Sequence, residues 1–198
     1  MLIGISGKAR VGKDTFAEML AEELYKRTHK LYVIMAYAHE LKKAVQAHFN
    51  LSYSQLWGDK KEVEDRRYPK GDRFWTGREM LQEYGQFFRT IDNNFWVKKL
   101  FDVIDDNEYE NVIITDLRHL NEVDAVVNKG GYHIKVVRSD KPVVHNDQHI
   151  SETALDEDYK VDALVLNNGT LEELKEKASD VVKAIMSIES LRKSLKEK

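Results

Sequence analysis

Five short apolar runs recur along the chain, and segments with helical periodicity separate them. The runs cover residues 2–5, 31–38, 111–116, 132–137 and 161–166. Successive positions in these runs are mostly apolar, so both faces of each strand are expected to be buried, as in a parallel sheet covered by helices on both sides. The pattern predicts a three-layer α/β protein, in which a five-stranded parallel sheet carries helices on both faces.

The intervening segments place apolar residues three and four positions apart. The first predicted helix buries one face formed by Phe16, Met19, Leu20 and Leu24. A later helix is predicted to start at the N-cap residue Thr76. Its apolar stripe consists of Leu81, Tyr84, Phe88 and Ile91. The last helix is predicted to bury Leu171, Leu174, Ala178, Val181, Val182 and Ile185.

The segment between the first run and the first helix has the form of a phosphate-binding loop. Gly7 and Gly12 bracket four residues, Lys13 follows directly, and the helical period starts at Phe16. In such a loop, backbone N–H groups converge on an anion and the helix dipole adds positive potential. The sequence therefore predicts a P-loop at 7–15, in which Lys13 places a positive charge between the β- and γ-phosphates of a nucleotide.

One position departs from the usual P-loop pattern. Asp14 stands where a serine or threonine is expected, and Thr15 follows it. A carboxylate beside a triphosphate is repelled unless a cation or a proton lies between them. Asp14 therefore predicts either a nearby Mg²⁺ ion or a direct role in proton handling.

A second acidic residue is predicted at the same edge of the sheet. Asp116 ends the run at 111–116, and Arg118 follows two residues later. An acid at the carboxyl end of a strand beside a P-loop strand is typical of a Walker B site, which orients Mg²⁺ or its water ligands. Ligands bind at the carboxyl ends of the strands in such sheets. The other candidates at these ends are Ala38, Arg138 and residues 167–169.

Two polar segments lack apolar periodicity. Residues 58–73 contain six basic and five acidic side chains. They fit either a solvated loop or a mobile flap in which Arg66, Arg67 or Arg73 meets a substrate phosphate. Residues 138–153 are rich in hydrogen-bonding groups, and we expect them to form a lid that closes over phosphates.

Composition narrows the classes of function. The chain has 198 residues, a formal net charge of −3 and no cysteine. This length predicts one domain, or one domain with a small insert, and the charge gives no electrostatic case for binding nucleic acid or a membrane. Disulfides, zinc–thiolate sites and thiol nucleophiles are excluded. Because no apolar stretch approaches the roughly 20 residues of a membrane span and no signal-peptide pattern is present, we expect a cytoplasmic protein.

Five stretches carry a resemblance to a known family. They are GKARVGKDT at 7–15, WTGREMLQEYG at 75–85, TDLRHLNEVDA at 115–125, VVRS with HISETAL within 136–155, and NNGTLEEL at 167–174. These motifs resemble those of the bacteriophage-type deoxynucleoside monophosphate kinases, a branch of the P-loop nucleoside monophosphate kinase superfamily. The resemblance covers nearly the whole chain. Animal-type phosphomevalonate kinases share the unusual aspartate, but the second and fourth stretches favour the nucleotide branch.

The resemblance implies a P-loop kinase fold in a single domain at 1–198, with a monophosphate-binding insert at 58–95 and the lid at 138–153. It implies that ATP is bound by Gly7, Arg10, Val11, Gly12, Lys13, Asp14, Thr15, Asn168 and Gly169. The implied substrate site consists of Ala38, Lys42, Arg66, Arg78, Gln82, Arg89, Trp96 and Glu152. The implied catalytic residues are Lys13, Asp14, Arg118 and Arg138, and the implied Mg²⁺ ligands are Asp14, Thr15 and Asp116.

The implied reaction is Mg²⁺-assisted, in-line transfer of a phosphoryl group from ATP to a deoxynucleoside monophosphate, giving the diphosphate. Small nucleotides are the implied partners, and the family suggests a homodimer. Two alternatives stay open: a kinase of the same fold that acts on phosphomevalonate or dephospho-coenzyme A, and a nucleotide-dependent switch. Trp75, Tyr84 and Trp96 fit a stacked base and a core position about equally well.

Overall fold

The computed structural model describes residues 1–139, Leu155 and residues 159–196. Backbone contacts divide the chain into two compact units. The first unit consists of Met1–Ala36 and Tyr109–Lys198, and the second unit is the continuous segment Tyr37–Glu108. Each unit has its own sheet and its own buried apolar side chains.

Strands and helices alternate in the first unit, whereas the second unit is mostly helical. In chain order, the strands are β1 (Leu2–Ser6), β2 (Val33–Met35), β3 (Glu64–Lys70), β4 (Arg73–Thr76), β5 (Val112–Leu117), β6 (Tyr132–Val137) and β7 (Ala163–Leu166). The helices are α1 (Lys13–Thr28), α2 (Tyr37–Phe49), α3 (Tyr53–Leu56), α4 (Gly77–Ile91), α5 (Phe95–Asp106), α6 (Leu120–Asn128) and α7 (Leu171–Lys196). A short 3₁₀ helix covers Asp59–Glu62.

Within the described residues, five strands of the first unit form one sheet in the order β2-β5-β1-β6-β7. All four strand pairs are parallel. The central strand is β1, in which Ile3 pairs with Ile113 of β5 and with Tyr132 of β6. The predicted five-stranded parallel sheet is therefore confirmed. The loop after β1 leaves the sheet at its carboxyl edge, where ligands of such sheets bind.

Helices cover both faces of this sheet. Phe16 of α1 and Val182 of α7 pack with Ile5 of β1, and all three side chains are fully buried. Successive residues of a strand point to opposite faces, so Gly4 faces the other side. There, a Cβ atom on Gly4 would lie 3.2 Å from Cγ2 of Val126 in α6. The first unit thus has the three predicted layers, with α1 and α7 on one face and α6 on the other.

The second unit is built on an antiparallel hairpin and four helices. Gly71 and Asp72 connect β3 to β4, and the two strands pair antiparallel. One buried cluster of this unit consists of Val45, Leu51, Leu56 and Met80, with Leu41, Tyr68, Trp75 and other partly buried side chains packed against it. Aromatic residues of β3 and β4 therefore attach the hairpin to the helices.

The start of α4 follows the predicted capping pattern. The Thr76 hydroxyl accepts a hydrogen bond from the Glu79 backbone N–H at 3.2 Å, and the Glu79 carboxylate accepts one from the Thr76 N–H at 3.0 Å. This reciprocal capping box satisfies two of the backbone donors that a helix start otherwise leaves unpaired.

The structure corrects the predicted strand at 31–38. Only Val33–Met35 form β2, which lies at the edge of the sheet with β5 as its one neighbouring strand. Ile34 is accordingly 41% exposed. Ala38, a predicted site residue at a strand end, lies in the first turn of α2 and belongs to the second unit.

Two further details of the prediction are wrong. Of the two alternatives for residues 58–73, the solvated loop is wrong, because the segment forms the 3₁₀ helix and most of the hairpin. Ile91 and Leu171 are 67% and 62% exposed, although both were assigned to buried stripes. Ile91 is the last residue of α4 and Leu171 is the first residue of α7. At these helix ends the apolar stripe extends beyond the residues that pack against the rest of the unit.

Every helix in the described part of the chain is too short or too polar to cross a lipid bilayer.

Candidate active site

The loop between β1 and α1 has a backbone conformation that its two glycines allow. Gly7 and Gly12 have φ values of 144° and 94°. A Cβ atom on Gly7 would lie 2.2 Å from the carbonyl oxygen of Val136 in β6. Side chains are excluded at this distance and disfavoured at these φ values. The glycine spacing read from the sequence therefore reflects close contact between the loop and the sheet.

Gly12 is also the N-cap residue of α1 and has no side chain with which to cap the helix. The first backbone N–H groups of α1, at Lys13, Asp14 and Thr15, therefore point toward the loop without an intrahelical partner. Together with the positive end of the helix dipole, such N–H groups form a favourable site for a phosphate group.

Lys13 folds back over the loop that precedes it. Its Nζ atom donates hydrogen bonds to the carbonyl oxygens of Gly7 at 2.8 Å and Lys8 at 2.7 Å. Burial and the positive charge of Arg118 lower the pKa of the Lys13 amine to about 8, and two carboxylates oppose this shift. These contacts hold the amine beside the helix N-terminus, where a bound phosphate would lie.

The two opposing carboxylates belong to Asp14 and Asp116. Asp14 is exposed in the first turn of α1, and Asp116 is half-buried near the end of β5. Because both carboxylates and the Arg118 guanidinium act on the same amine, all three charged groups lie close to Lys13. The structure thus brings together two pairs of predicted site residues, Lys13 with Asp14 and Asp116 with Arg118, that are more than 100 positions apart in the sequence.

An irregularity in β5 precedes Arg118. Gly4 and Ser6 of β1 pair with Ile114 and Leu117, so β5 has two residues between these pairs where β1 has one. Such a bulge re-aims side chains and is common beside active sites. Here the irregularity contains Thr115 and Asp116.

Glu122 is a residue of this region that sequence reasoning missed. Its side chain is 1% exposed, and its Oε2 atom accepts hydrogen bonds from the backbone N–H groups of Arg118 at 2.7 Å and His119 at 3.1 Å. It therefore fixes the turn that carries Arg118. The signal was available in the sequence, because a glutamate at the third position of a helix is half of a capping box.

Asn167 is a candidate residue whose contact the sequence did not predict. Its buried side-chain amide donates a hydrogen bond to the carbonyl oxygen of Val11 at 2.8 Å, and its backbone N–H donates to the Val137 carbonyl at 2.8 Å. A Cβ atom on Gly12 would lie only 2.4 Å from this amide nitrogen. Asn167 thus fixes the P-loop from the end of β7. The sequence marked the turn at 167–169 as part of the site but assigned ATP binding to Asn168 and Gly169.

The remaining residues of this turn make contacts farther from the P-loop. Asn168 and Ser139 exchange two hydrogen bonds, in which the Asn168 amide donates to Ser139 Oγ at 2.6 Å and the Ser139 N–H donates to Asn168 Oδ1 at 3.0 Å. Gly169 precedes the capping pair of Thr170 and Glu173 at the start of α7. Arg138 directly follows β6 and precedes Ser139.

The candidate acceptor residues of the second unit are involved in charged contacts. Arg78, in the first turn of α4, forms an ion pair with Glu62 of the 3₁₀ helix. Lys42 lies over the ring of Trp57, with Nζ 5.6 Å from the ring centroid. Gln82 and Arg89 are half-buried positions farther along α4.

The three candidate flap arginines differ in their contacts. Arg67 binds Asp65 at 2.6 Å and Arg73 binds Glu79 at 2.5 Å. Hydrogen bonds from these guanidinium groups hold the pKa values of the two carboxyls well below their usual range. Arg66 is exposed on β3, and the described part of the chain provides it with no ion pair. Of the three, Arg66 is therefore the one whose guanidinium is not paired with a carboxylate of the second unit.

Trp96 is a core residue of the second unit. It is 3% exposed, and its indole N–H donates a hydrogen bond to the Gly85 carbonyl at 3.1 Å. The rings of Tyr84, Phe88 and Phe95 surround it at centroid distances of 4.9–6.4 Å. Of the two interpretations that the sequence allowed, this packing favours the core. Glu152 and the predicted lid from residue 140 to 153 lie outside the described residues.

The donor atoms near Lys13 suit a magnesium ion. Asp14, Thr15 and Asp116 supply only oxygen atoms, which are the ligands that Mg²⁺ prefers. Proteins usually hold Mg²⁺ through one or two carboxylates, with substrate phosphates and water completing the shell. Among the described residues, no group of three or more histidine, aspartate and glutamate side chains is arranged to hold a metal ion. The donor set therefore fits an ion that is bound together with a nucleotide.

Comparison with known proteins decides the family. Residues 60–178, more than half of the chain, match the family model for deoxynucleotide monophosphate kinase. The chain belongs to the deoxynucleotide monophosphate kinase family. Over 188 residues it is 31% identical to a provisionally named deoxynucleotide monophosphate kinase of Acanthamoeba polyphaga mimivirus, and the match covers 87% of this chain and 91% of the relative.

The match to a second relative covers a smaller part of both chains. The deoxynucleotide monophosphate kinase of Enterobacteria phage T4 is 32% identical over 116 residues, which are 56% of this chain and 47% of the phage protein. Among solved structures, the shikimate kinase of Aquifex aeolicus vf5 superposes with a TM-score of 0.42 at 15% identity, covering 97% of this chain and 98% of that one. The family is therefore assigned from sequence similarity, and the parallel sheet is established by the strand pairs of this chain.

Proposed function

We propose that this chain transfers the γ-phosphoryl group of ATP to a deoxynucleoside monophosphate, giving ADP and a deoxynucleoside diphosphate. One observation carries the proposal: Lys13 lies over a glycine-bounded loop at a helix N-terminus, with Asp14, Asp116 and Arg118 around its amine. Family membership supplies the class of acceptor.

The proposed donor site uses the P-loop and the turn after β7. The residues that would bind the ATP phosphates are Gly7, Arg10, Val11, Gly12, Lys13, Asp14 and Thr15, with Asn168 and Gly169 toward adenine. Phosphoryl transfer needs in-line positioning and cationic groups on the oxygens that carry negative charge. Lys13, Arg118 and Arg138 would provide these cations, and Asp14 would lie toward the accepting phosphate.

Asp14, Thr15 and Asp116 would hold Mg²⁺ with the nucleotide. When bound, this ion would neutralise negative charge that develops on the transferring phosphoryl group. The role of the chain is then to keep these oxygen donors oriented and to keep the Lys13 amine charged. ATP and Mg²⁺ are thus proposed as the donor and its cofactor, in keeping with the chemistry of kinases in general.

The proposed acceptor site uses residues of the second unit. A guanidinium group binds a phosphate through two parallel hydrogen bonds, which suits Arg78 and the exposed Arg66. Lys42, Gln82, Arg89 and the backbone at Ala38 complete the proposed set. We leave out Trp96, because its buried position and its bond to Gly85 give it a structural role.

The organisation around the site is also a proposal. A single kinase domain would span 1–198, with 58–95 as the monophosphate-binding insert and 138–153 as a lid that keeps water from the transferring phosphoryl group. The proposed partners are small nucleotides and a second copy of the chain, and the proposed compartment is the cytoplasm.

The experiment that tests this function measures ADP release from Mg-ATP with a panel of acceptors. The panel contains the deoxynucleoside and ribonucleoside monophosphates, with phosphomevalonate and dephospho-coenzyme A as controls. We expect turnover that depends on deoxynucleoside monophosphates, and the pattern among bases would supply the specificity. Turnover with either control compound but with no nucleotide would replace the proposed acceptor. ATP binding without turnover on any acceptor would refute the proposed reaction.

A further inference from the structure

A buried histidine lies behind the P-loop and plays no part in the site described above. His133 is in β6, and its side chain is 1% exposed. Its Nε2 atom lies 2.7 Å from the hydroxyl oxygen of Ser6, the last residue of β1. Its Nδ1 atom lies 3.0 Å and 3.2 Å from the carbonyl oxygens of Tyr159 and Lys160. The ring therefore connects the end of β1 to the backbone at 159–160.

The partners of this ring determine where its proton lies. Carbonyl oxygens can only accept hydrogen bonds, so Nδ1 carries the hydrogen. Burial lowers the pKa of His133 and favours the neutral form. In the neutral ring Nε2 is an acceptor, and it follows that the Ser6 hydroxyl donates its hydrogen to His133. Each ring nitrogen therefore has a defined role: Nδ1 donates to the backbone carbonyls, and Nε2 accepts from Ser6.

The backbone that His133 contacts at 159–160 is itself held in place. The His133 N–H donates to Asp162 Oδ2 at 2.8 Å, and the Asp162 N–H donates to the His133 carbonyl at 2.8 Å. The Tyr159 hydroxyl and the Lys160 amine both bind Oδ1 of Asp124 in α6, at 3.0 Å and 2.5 Å. Ser6 is the last residue of β1 that pairs with both neighbouring strands, so the ring restrains the point at which the chain leaves the sheet and enters the P-loop.

Ser6 leads directly to the amine of Lys13. It precedes Gly7, whose carbonyl accepts a hydrogen bond from Lys13 Nζ. Gly7 also lies against the Val136 carbonyl of β6, the strand that carries His133. A rotation at Ser6 would move the Gly7 carbonyl and with it the amine. The His133–Ser6 hydrogen bond thus lies one residue from the Gly7 carbonyl, which is one of the two carbonyls that hold the amine.

We propose that His133 is a positioning residue for the P-loop, which acts through the Ser6 hydroxyl to fix the Gly7 carbonyl and the Lys13 amine in the geometry that binds ATP phosphates. The proposal rests on the proposed function only in taking ATP as the ligand of this loop. His133 itself contacts neither the nucleotide nor the reacting atoms.

A pair of matched substitutions separates this role from a purely structural one. In His133→Asn, the amide can replace Nδ1 and donate to the carbonyls at 159–160, but it is too short to reach Ser6. In His133→Gln, the longer side chain can offer its oxygen to the Ser6 hydroxyl. We expect His133→Asn to lower kcat/KM for ATP by about tenfold, the scale of one lost buried hydrogen bond. We expect His133→Gln to restore much of that loss, and KM for the acceptor to stay unchanged in both variants.

Ser6→Ala is the complementary test, because it changes the other partner and removes only one atom. It should reproduce the loss of His133→Asn, and the double variant should lose no more than either single variant, as expected when both act through one bond. ATP affinity, measured by calorimetry without an acceptor, gives the same readout independently of turnover. Wild-type ATP affinity in both His133→Asn and Ser6→Ala would overturn the proposal, as would equal losses in His133→Asn and His133→Gln.

The tautomer provides a test that needs no nucleotide. Two-bond ¹H–¹⁵N correlation spectra of the protein distinguish a histidine that is protonated on Nδ1 from one protonated on Nε2. We expect Nδ1–H for His133, and an Nε2–H ring would overturn the proposal. Failure of the wild-type chain to bind ATP would refute the proposed function instead, which calorimetry on the unmodified protein shows before any variant is made.

Discussion

The two units of this chain hold their candidate site residues by opposite means. In the first unit, backbone carbonyls hold the Lys13 amine, and the buried amide of Asn167 holds the loop at Val11. In the second unit, the Arg78 guanidinium is instead paired with the carboxylate of Glu62, and both side chains are partly exposed to solvent.

This difference bears on how each unit would receive a phosphate. Buried hydrogen bonds to the backbone are directional, and leaving one unmade is costly. Exposed ion pairs contribute about 0–1 kcal/mol and are weakened by salt. The P-loop is therefore expected to be formed before its ligand arrives. The arginine of the second unit, in contrast, would exchange a carboxylate for a phosphate when the ligand binds.

The largest predicted effect is at the preformed loop. Lys13→Ala removes the charge that the Gly7 and Lys8 carbonyls orient, and we expect kcat to fall by on the order of 10³-fold, the scale measured when a cation is lost from a phosphoryl-transfer site. Steady-state kinetics with Mg-ATP provide the measurement. The matched control is Lys8→Ala, which changes a neighbouring lysine of the loop and leaves its backbone carbonyl in place. A loss below about tenfold for Lys13→Ala would remove this amine from the catalytic set.

The next largest effect is expected at Arg78, whose ion pair with Glu62 would be exchanged for a phosphate. Arg78→Ala should raise KM for the acceptor by about 10- to 100-fold, because a hydrogen bond to a charged group contributes about 1.5–3 kcal/mol. KM for ATP should stay unchanged. Arg73→Ala is the matched control, since its guanidinium is used by Glu79 within the second unit. An unchanged acceptor KM in Arg78→Ala would exclude this residue from the substrate site.

The lowered pKa of Lys13 predicts that nucleotide binding weakens in alkaline solution. Below pH 8 the amine is already charged, whereas above pH 8 it must take up a proton when a phosphate binds. The dissociation constant for ADP without Mg²⁺ should therefore rise by up to about tenfold per pH unit above the pKa of about 8. Calorimetry across this range gives the measurement. In Lys13→Arg the side chain stays charged, so an equal rise in that variant would assign the pH dependence to another group.

The parts of the fold that the sequence predicted are those with a periodic or local signal. All five strands of the parallel sheet are apolar runs, and the observed bounds of β6 match the predicted 132–137. Thr76 caps α4 because its partner Glu79 is three residues away, within reach of a local pattern. In the same way, the P-loop is recognised because its function needs glycines and a lysine at fixed spacing.

The parts that were missed depend on contacts between distant residues. The hairpin of β3 and β4 is highly charged. Its side chains that pack against the buried cluster of the second unit are Tyr68 and Trp75. The Gly71–Asp72 turn was the one signal for it. Asn167 and His133 are single polar residues in strands or at their ends, and no pattern shows that their partners are Val11 and Ser6, more than 100 residues away.

Asn167 provides a smaller test of the preformed loop. Asn167→Ala leaves the Val11 carbonyl without its buried donor, and we expect kcat/KM for ATP to fall by about tenfold. Asn168→Ala is the matched control in the same turn, because that side chain binds Ser139 and not the P-loop. The sequence had favoured Asn168 as the ATP residue, so kinetics of the two variants decide between the two neighbours. A larger loss in Asn168→Ala would restore the original assignment.

The smallest predicted effect has the opposite sign and tests the exchange itself. If the Glu62 carboxylate competes with a phosphate for Arg78, Glu62→Gln should lower KM for the acceptor by up to about fivefold, the value of one exposed ion pair. The gain should shrink at high salt, because screening weakens the pair in the unmodified protein as well. Glu64→Gln, two residues along the same charged segment, serves as the control. A raised acceptor KM in Glu62→Gln would mean that this carboxylate contacts the substrate, and the second unit would then bind its ligand with a fixed arrangement of charges, as the P-loop does.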